Sequence, residues 1–245
     1  MHDQPSPAIV ITGVDPALAA IGAWRRLKAS AAAVLRTLLV AFGLLVLAVT
    51  PAVAASPELA RLQREWAEIK YKMPRESQEQ AFSALARVSE SLVARNPGDV
   101  ELLIWHGIIE SSQADAKGGL GALALVKSAR KNFERAIEIN ATALDGSALT
   151  SLGSLYYQVP GWPIGFGDDK KALEFLKKGL EANPDGIDSN FFYGDFLFRS
   201  GDFVAAESVL RKALRAPARS GRALADEGRR GEIEDLLRRI AEKRR

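Results

Sequence analysis

Apolar residues recur along the chain at intervals of three and four, the spacing that places side chains on one face of an α-helix. Leu59, Leu62 and Trp66 follow this spacing and predict a first helix over 57–72. Pro74 ends that helix, because proline cannot donate the next backbone hydrogen bond. The same helical period continues to the C-terminus, with no long run of strand-type alternation, so the sequence predicts an all-α protein.

A pair of helices recurs three times. Each copy has a glycine on its first helix, and these are Gly107, Gly153 and Gly194. The second helix of each copy then carries a small, a bulky and a small residue. These triplets are Ala129, Phe133 and Ala136; Ala172, Leu176 and Gly179; and Ala206, Leu210 and Ala213. A helix pair cannot bury its apolar face alone, so the repeat predicts an α-solenoid of stacked hairpins.

The last copy resembles the tetratricopeptide repeat (TPR), a helix–turn–helix unit of about 34 residues. Gly194 lies on its first helix, Gly201-Asp202-Phe203 forms the turn, and Ala206 follows on the second helix. The resemblance implies three divergent repeats between an N-terminal helical pair and a C-terminal capping helix. The predicted bounds are 56–98 for the pair, 99–141, 142–184 and 186–217 for the repeats, and 218–245 for the cap.

The N-terminal residues have the composition of an export signal. Basic residues up to Arg36 precede an apolar run from Thr37 to Val49, and the small residues Ala52-Val53-Ala54 follow. These are the parts of a secretory signal peptide, so residues 1–55 are predicted to direct export to the periplasm or outside the cell. The alternative is an uncleaved N-terminal membrane segment that anchors the same domain to the envelope.

A second resemblance rests on the segment 167–172, Gly-Asp-Asp-Lys-Lys-Ala, together with the divergent repeats and the export signal. It is similar to a bacterial periplasmic repeat family that includes the T component associated with TRAP-type substrate transport. The likeness covers about residues 100–216. The repeats imply a protein-interaction scaffold of the bacterial envelope; the alternative is a small-ligand-binding accessory of a periplasmic transport system.

Charge and composition exclude several classes of function. The formal net charge is +3, and residues 1–55 carry four of the 33 basic and two of the 30 acidic side chains, so the remainder is close to neutral. That balance does not favour nucleic-acid binding. The chain has no cysteine, and His106 is its only histidine beyond the predicted signal, which we expect to be packed and hydrogen-bonded. We therefore expect neither catalysis nor a metal or cofactor.

The concave face of the repeats is the first candidate binding site, because the first helix of each TPR pair lines the groove. Tyr157, Phe191 and Phe198 are expected to enclose a protein segment, a peptide or a small organic ligand, which Asp195 and Arg199 would orient. The remaining candidates are Ile104, Ile108, Ser111, Thr150, Ser154, Gln158 and Asp188. The alternative is that the C-terminal helix fills this groove.

A Gly/Pro-rich loop around 160–169 is the second candidate. Trp162 and Phe166 are costly to expose, so they are expected either to bind a partner or to plug the edge of the repeat. Asp168 is expected to cap the helix that follows. Gly118-Gly119-Leu120-Gly121 precedes another helix and is expected to form a hairpin turn rather than a phosphate-binding loop.

Overall fold

The structure is a computed structural model and describes residues 56–245, so the predicted signal peptide and its cleavage site lie outside the described residues. Helices and their connections make up the described part, which contains no strand, and the all-α prediction is confirmed for it. The helices are α1 Pro57–Lys72, α2 Arg75–Arg95, α3 Val100–Lys117, α4 Leu123–Asn140, α5 Ala143–Gln158, α6 Asp169–Ala182, α7 Ile187–Arg199, α8 Phe203–Leu214 and α9 Ala223–Lys243. Within residues 56–245, no helix combines the length and the apolarity needed to cross a membrane.

Short polar side chains define where several helices begin. Ser56 accepts a hydrogen bond from the Leu59 amide at α1, and Asp99 accepts from two amides at α3. Asp168 accepts from the amides of Lys170 and Lys171 at α6, which is the capping role predicted for it. Such caps satisfy amides that have no partner within the helix, and each contributes about 1 kcal/mol.

The three repeated glycines each face the bulky residue of their own copy. A Cβ atom built on Gly107 would lie 2.7 Å from the Phe133 ring, one on Gly153 would lie 2.8 Å from Leu176, and one on Gly194 would lie 2.7 Å from Leu210. Real Cβ atoms do not approach this closely, so only glycine lets α3, α5 and α7 approach α4, α6 and α8 to this distance. The recurring glycine and the recurring bulky residue therefore make the same helix–helix contact in all three hairpins.

The first helices of the hairpins form a closed circuit. α1 packs against α3, α3 against α5, α5 against α7, and α7 against α9. The C-terminal helix α9 also packs against α1, which completes the ring, and its range corresponds to the helix predicted near the C-terminus. α9 is therefore a wall of the ring.

A left-handed turn begins α5. Leu144, Asp145 and Gly146 have φ angles of 47°, 55° and 72°. Such values are unusual for a leucine and an aspartate, and each non-glycine residue held there costs about 1 kcal/mol. Leu144 packs against the hydrophobic clusters on both sides of it, and this packing offsets the strain. The turn thereby fixes the position from which α5 lines the interior of the ring.

Candidate functional site

The ring of helices lines a cavity of about 1110 Å³ that is partly open to solvent. Its walls combine aromatic side chains, among them Trp66, Trp105, Phe191 and Phe192, with polar ones. Most of the hydroxyl groups belong to residues of α3 and α5, namely Ser111, Ser112, Ser147, Thr150, Ser151 and Ser154, and Ser189 of α7 adds one more. Charged residues of both signs also line it, among them Lys70, Asp188, Arg222 and Glu232, so the lining combines apolar surface with many polar groups. Apolar surface together with convergent polar groups is found at sites for organic ligands.

Most of the predicted groove residues lie on this cavity. They are Ile108, Ser111, Thr150, Ser154, Gln158, Asp188, Phe191, Asp195 and Arg199. Ile104 does not, because it is 0% exposed and packs in the core between helices. Tyr157 and Phe198 are also absent from the cavity wall. The sequence thus located the helices that line the site, and Ile108, one turn beyond Ile104, faces the interior.

The three aromatic residues predicted to hold a ligand are already covered by cations of the chain. Arg229 lies 4.3 Å from the centre of the Phe191 ring, Arg239 lies 4.7 Å from Phe198, and Arg199 lies 5.3 Å from Tyr157. The Tyr157 hydroxyl also donates to Asp195 Oδ2 over 2.9 Å. These contacts bind α5 to α7 and α7 to α9, so these aromatic side chains hold the wall together.

The two long loops border one end of the cavity. Leu120, from the loop after α3, and Ile164, from the loop after α5, both line it. Trp162 is 90% exposed, so it does not plug the edge of its repeat. Phe166 packs edge-on against Tyr156, with Arg130 4.7 Å from its ring centre. The loop residues therefore divide into a packed anchor, Phe166, and an exposed tip, Trp162.

A network of ion pairs joins α7, α9 and the loop before α9. Asp188 accepts hydrogen bonds from Arg219 Nη1 and from Arg229 Nε, both at 2.7 Å. Arg219 also pairs with Asp226, and Arg229 pairs with Glu232. Burial alone would raise the pKa of Asp188, but its attraction to Arg229 and Arg219 lowers that pKa well below the usual range. Asp188, predicted as a groove residue, is thus also a structural tie between two walls.

Arg222 lies beside this network on the cavity wall and forms no salt bridge within residues 56–245. Its guanidinium carbon lies 4.8 Å from the centre of the Trp105 ring. Its Nε is buried and has no hydrogen-bond partner in the described part of the chain. Burial, followed by repulsion from Arg219, lowers the pKa of Arg222 to about 10.

Sequence reasoning missed Trp66, Trp105 and Arg222 as site residues. The two tryptophans pack edge-on with ring centres 5.8 Å apart, and Trp66 Nε1 donates to Ser112 at 2.8 Å. Trp66 belongs to the helical pair ahead of the repeats, and Arg222 to the segment predicted to cap them. Only closure of the ring brings them to the same cavity, and no local pattern carries that information.

The remaining candidates for chemistry have structural explanations. His106 is buried, and its Nδ1 lies 2.8 Å from the Ser89 hydroxyl, which confirms the predicted packed and hydrogen-bonded histidine. Its neighbour Glu110 accepts a hydrogen bond from Asn132 at 2.8 Å. Across residues 56–245, no group of three or more His, Cys, Asp or Glu side chains is placed to hold a metal ion.

Comparison with known proteins gives no family for this chain. No protein-family model matches it, and no curated protein is similar enough to count as a relative.

Proposed function

We propose that this protein is a non-catalytic binding protein that holds a small organic ligand in the cavity surrounded by α1, α3, α5, α7 and α9. The observation that carries the proposal is the contact between α9 and α1, which closes the ring. An open groove suits an extended protein segment, whereas a ring of helices surrounds its occupant laterally and leaves the cavity partly open to solvent. The cavity volume of about 1110 Å³ is slightly above the usual range for small-molecule sites, roughly 300–1,000 Å³.

The fold and location that we propose follow from the sequence resemblances. The close glycine contacts at Gly107, Gly153 and Gly194 support three TPR-like hairpins arranged as an α-solenoid. The signal-like N-terminus supports export to the periplasm or the cell envelope. A ligand-binding repeat protein in that location fits an accessory of a transport system, the alternative that the sequence had suggested.

Native mass spectrometry tests the binding function directly. The protein, purified gently from the envelope fraction, is expected to carry a small mass that is lost on denaturation. Ser151→Phe places a ring inside the cavity and is expected to abolish the bound mass, because Ser151 lines the wall. Ser91→Phe, the same change on the exposed outer surface of α2, should retain it.

Both variants should keep the circular dichroism of the wild type, and Ser151→Phe should melt cooperatively near the temperature of ligand-stripped wild-type protein, so that loss of ligand is not loss of fold. Wild-type protein that carries no small mass, or a bound mass that Ser151→Phe leaves in place, would count against the cavity as the binding site.

A protein-interaction scaffold is the second candidate function, and the exposed loop tip favours it. Trp162 and Ile164 are both exposed, at 90% and 54%, and Leu120 is 76% exposed. Exposed tryptophan and aliphatic side chains are typical anchors at protein interfaces. A stoichiometric polypeptide in the native spectrum that Trp162→Ala removes, while Ser151→Phe does not, would establish this role.

A further inference from the structure

We infer that the ligand of the cavity is an amphipathic organic anion, whose anionic group binds Arg222 and whose apolar body lies along α3, α4 and α5. This inference rests on the proposed binding function and specifies the chemical class of its ligand.

The unused hydrogen-bond donors of Arg222 are the first argument. Guanidinium offers five N–H donors in a planar fork, and buried donors without partners are costly. Arg219 and Arg229, the neighbouring arginines, each donate to carboxylates of the network. Arg222 has no such bond among the described residues, and its side chain lines the cavity. Its Nε is closed to solvent, so an acceptor from the cavity would have to reach the terminal amino groups of the fork. The cavity is thus the direction from which an acceptor can arrive.

The charges around Arg222 indicate what kind of acceptor fits. Asp188 and Asp226 are the carboxylates that act on Arg222, and both are engaged by Arg219 or Arg229. The pKa of Arg229 is raised by its neighbouring carboxylates despite its burial, whereas the pKa of Arg222 is lowered. The charged form of Arg222 is therefore undercompensated, and an anion from the ligand would supply the missing interaction.

Trp105 supports the same position for the anionic group. The Arg222 guanidinium carbon lies over its ring, 4.8 Å from the ring centre. Stacking on an aromatic ring restricts the orientation of the guanidinium and leaves its edge available for a carboxylate, sulfonate or phosphate.

The position of the apolar body of the ligand is inferred from the residues at the end of the cavity opposite Arg222. Successive hairpins reverse the chain, and paired contacts confirm that α7 and α9 run parallel: Asp188 meets Arg229 near their starts, and Phe198 meets Arg239 near their ends. Arg222 precedes α9 and therefore lies at the end where these helices start. The wall toward the other end carries polar and charged residues, among them Asp115, Gln158 and Arg239, beside an apolar surface from α3, α4, α5 and the loop after α5. The apolar residues are Ile108, Leu123, Val126, Leu155, Val159 and Ile164.

Isothermal titration calorimetry with decanoate, 1-decanol and acetate tests this inference. The protein is first stripped of bound ligand by denaturation and refolding, and its circular dichroism is matched to the untreated sample. Decanoate should bind one-to-one and at least tenfold more tightly than decanol, and acetate should bind far more weakly. Arg222→Gln should remove the preference for decanoate, and Arg222→Lys, which keeps the charge, should retain part of it. Arg211→Gln, on the exposed face of α8, is the matched control and should bind as the wild type does.

Each part of the inference has its own contrary outcome. Equal binding of decanoate and decanol, or a preference that survives in Arg222→Gln, overturns the anionic site but leaves the cavity as a binding site. Acetate binding as tightly as decanoate overturns the apolar body. If neither long-chain probe binds while native spectra of the untreated protein show a bound mass, the ligand class is wrong and the proposed function stands. A melting temperature for Arg222→Gln above that of the wild type would accord with an uncompensated buried charge.

Discussion

At the scale of single residues, the described chain depends on three glycines whose missing side chains allow close helix contact. Gly107, Gly153 and Gly194 stand opposite a phenylalanine and two leucines that are almost completely buried. A methyl group at any of them would overlap a well-packed core side chain. Overpacking of this kind typically costs about 1–3 kcal/mol, because the neighbours must leave their preferred rotamers or the helices must separate.

Gly194→Ala is therefore expected to lower the free energy of unfolding by about 1–3 kcal/mol, measured by urea denaturation. The added Cβ would lie 2.7 Å from Leu210 Cγ. Gly98→Ala is the matched control, because a Cβ there meets no atom within 4 Å and its φ is not positive. Equal free energies of unfolding for the two variants would show that α7 and α8 can move apart without loss of stability.

These residues also show which contacts can be predicted from the sequence and which cannot. The glycine and its bulky partner recur at readable positions, so hairpin packing was predictable from a single chain. The choice between Ile104 and Ile108 was not, because both lie on the same apolar stripe and only the position of the next hairpin decides which one is buried. Arg222 lacks any local pattern, and its partner Trp105 is more than a hundred residues away.

At the scale of elements, α9 makes the difference between an open groove and a cavity that is surrounded by helices. The helix was predictable as a terminal cap, with the alternative that it fills the groove. Instead it lines the cavity through Arg229, Leu236 and Arg239 and is tied to α7 by ion pairs. Helical periodicity identifies which face of α9 is apolar, but it does not specify how far from α7 the helix axis lies.

Asp188→Asn is expected to lower the free energy of unfolding at pH 7 by about 1–2 kcal/mol, because it leaves Arg219 and Arg229 without a shared anion at a site that is about a third exposed to solvent. The folded-state pKa of Asp188 is lowered, so its contribution is present above the unfolded value of about 3.9 and is lost as the pH falls through the folded value. The difference in free energy of unfolding between the variant and the wild type should therefore become smaller at pH 3 and below.

Asp185→Asn provides the comparison within the same turn. Asp185 is exposed and pairs with Lys212 at 3.1 Å, so its loss should cost less than about 1 kcal/mol. Urea denaturation of both variants and of the wild type, at pH 7 and at pH 3, measures the free energies of unfolding to be compared. A difference at Asp188 that does not narrow with acid would mean that the loss arises from packing rather than from charge.

At the scale of the whole described domain, the contact between α1 and α9 is the one that joins the two ends of the stack. Gly228 lies directly against the Tyr71 ring, and a Cβ there would overlap that ring. The Tyr71 hydroxyl is buried, and burial raises its pKa to about 12. This contact has no counterpart in the repeat pattern, because it joins the segments before and after the repeats.

Gly228→Ala is expected to weaken ring closure and to speed amide hydrogen exchange in the last turn of α1 and the first turns of α9. Gly231→Ala, on the same helix, adds a Cβ that meets no atom within 4 Å. That control should instead gain about 0.5–1 kcal/mol from helix propensity. Exchange rates that rise equally in both variants, or in neither, would contradict a closing role for Gly228.

Closure of the ring also bears on how the domain unfolds. In a linear array of hairpins each unit touches only its neighbours, so the terminal units fray first and partially unfolded forms accumulate. A circuit in which α9 packs on α1 has no terminal unit, so loss of any one hairpin removes contacts from two neighbours. The described domain is thus built to melt as a single cooperative unit, and opening of the α1–α9 seam would convert it into an array that unravels from its ends.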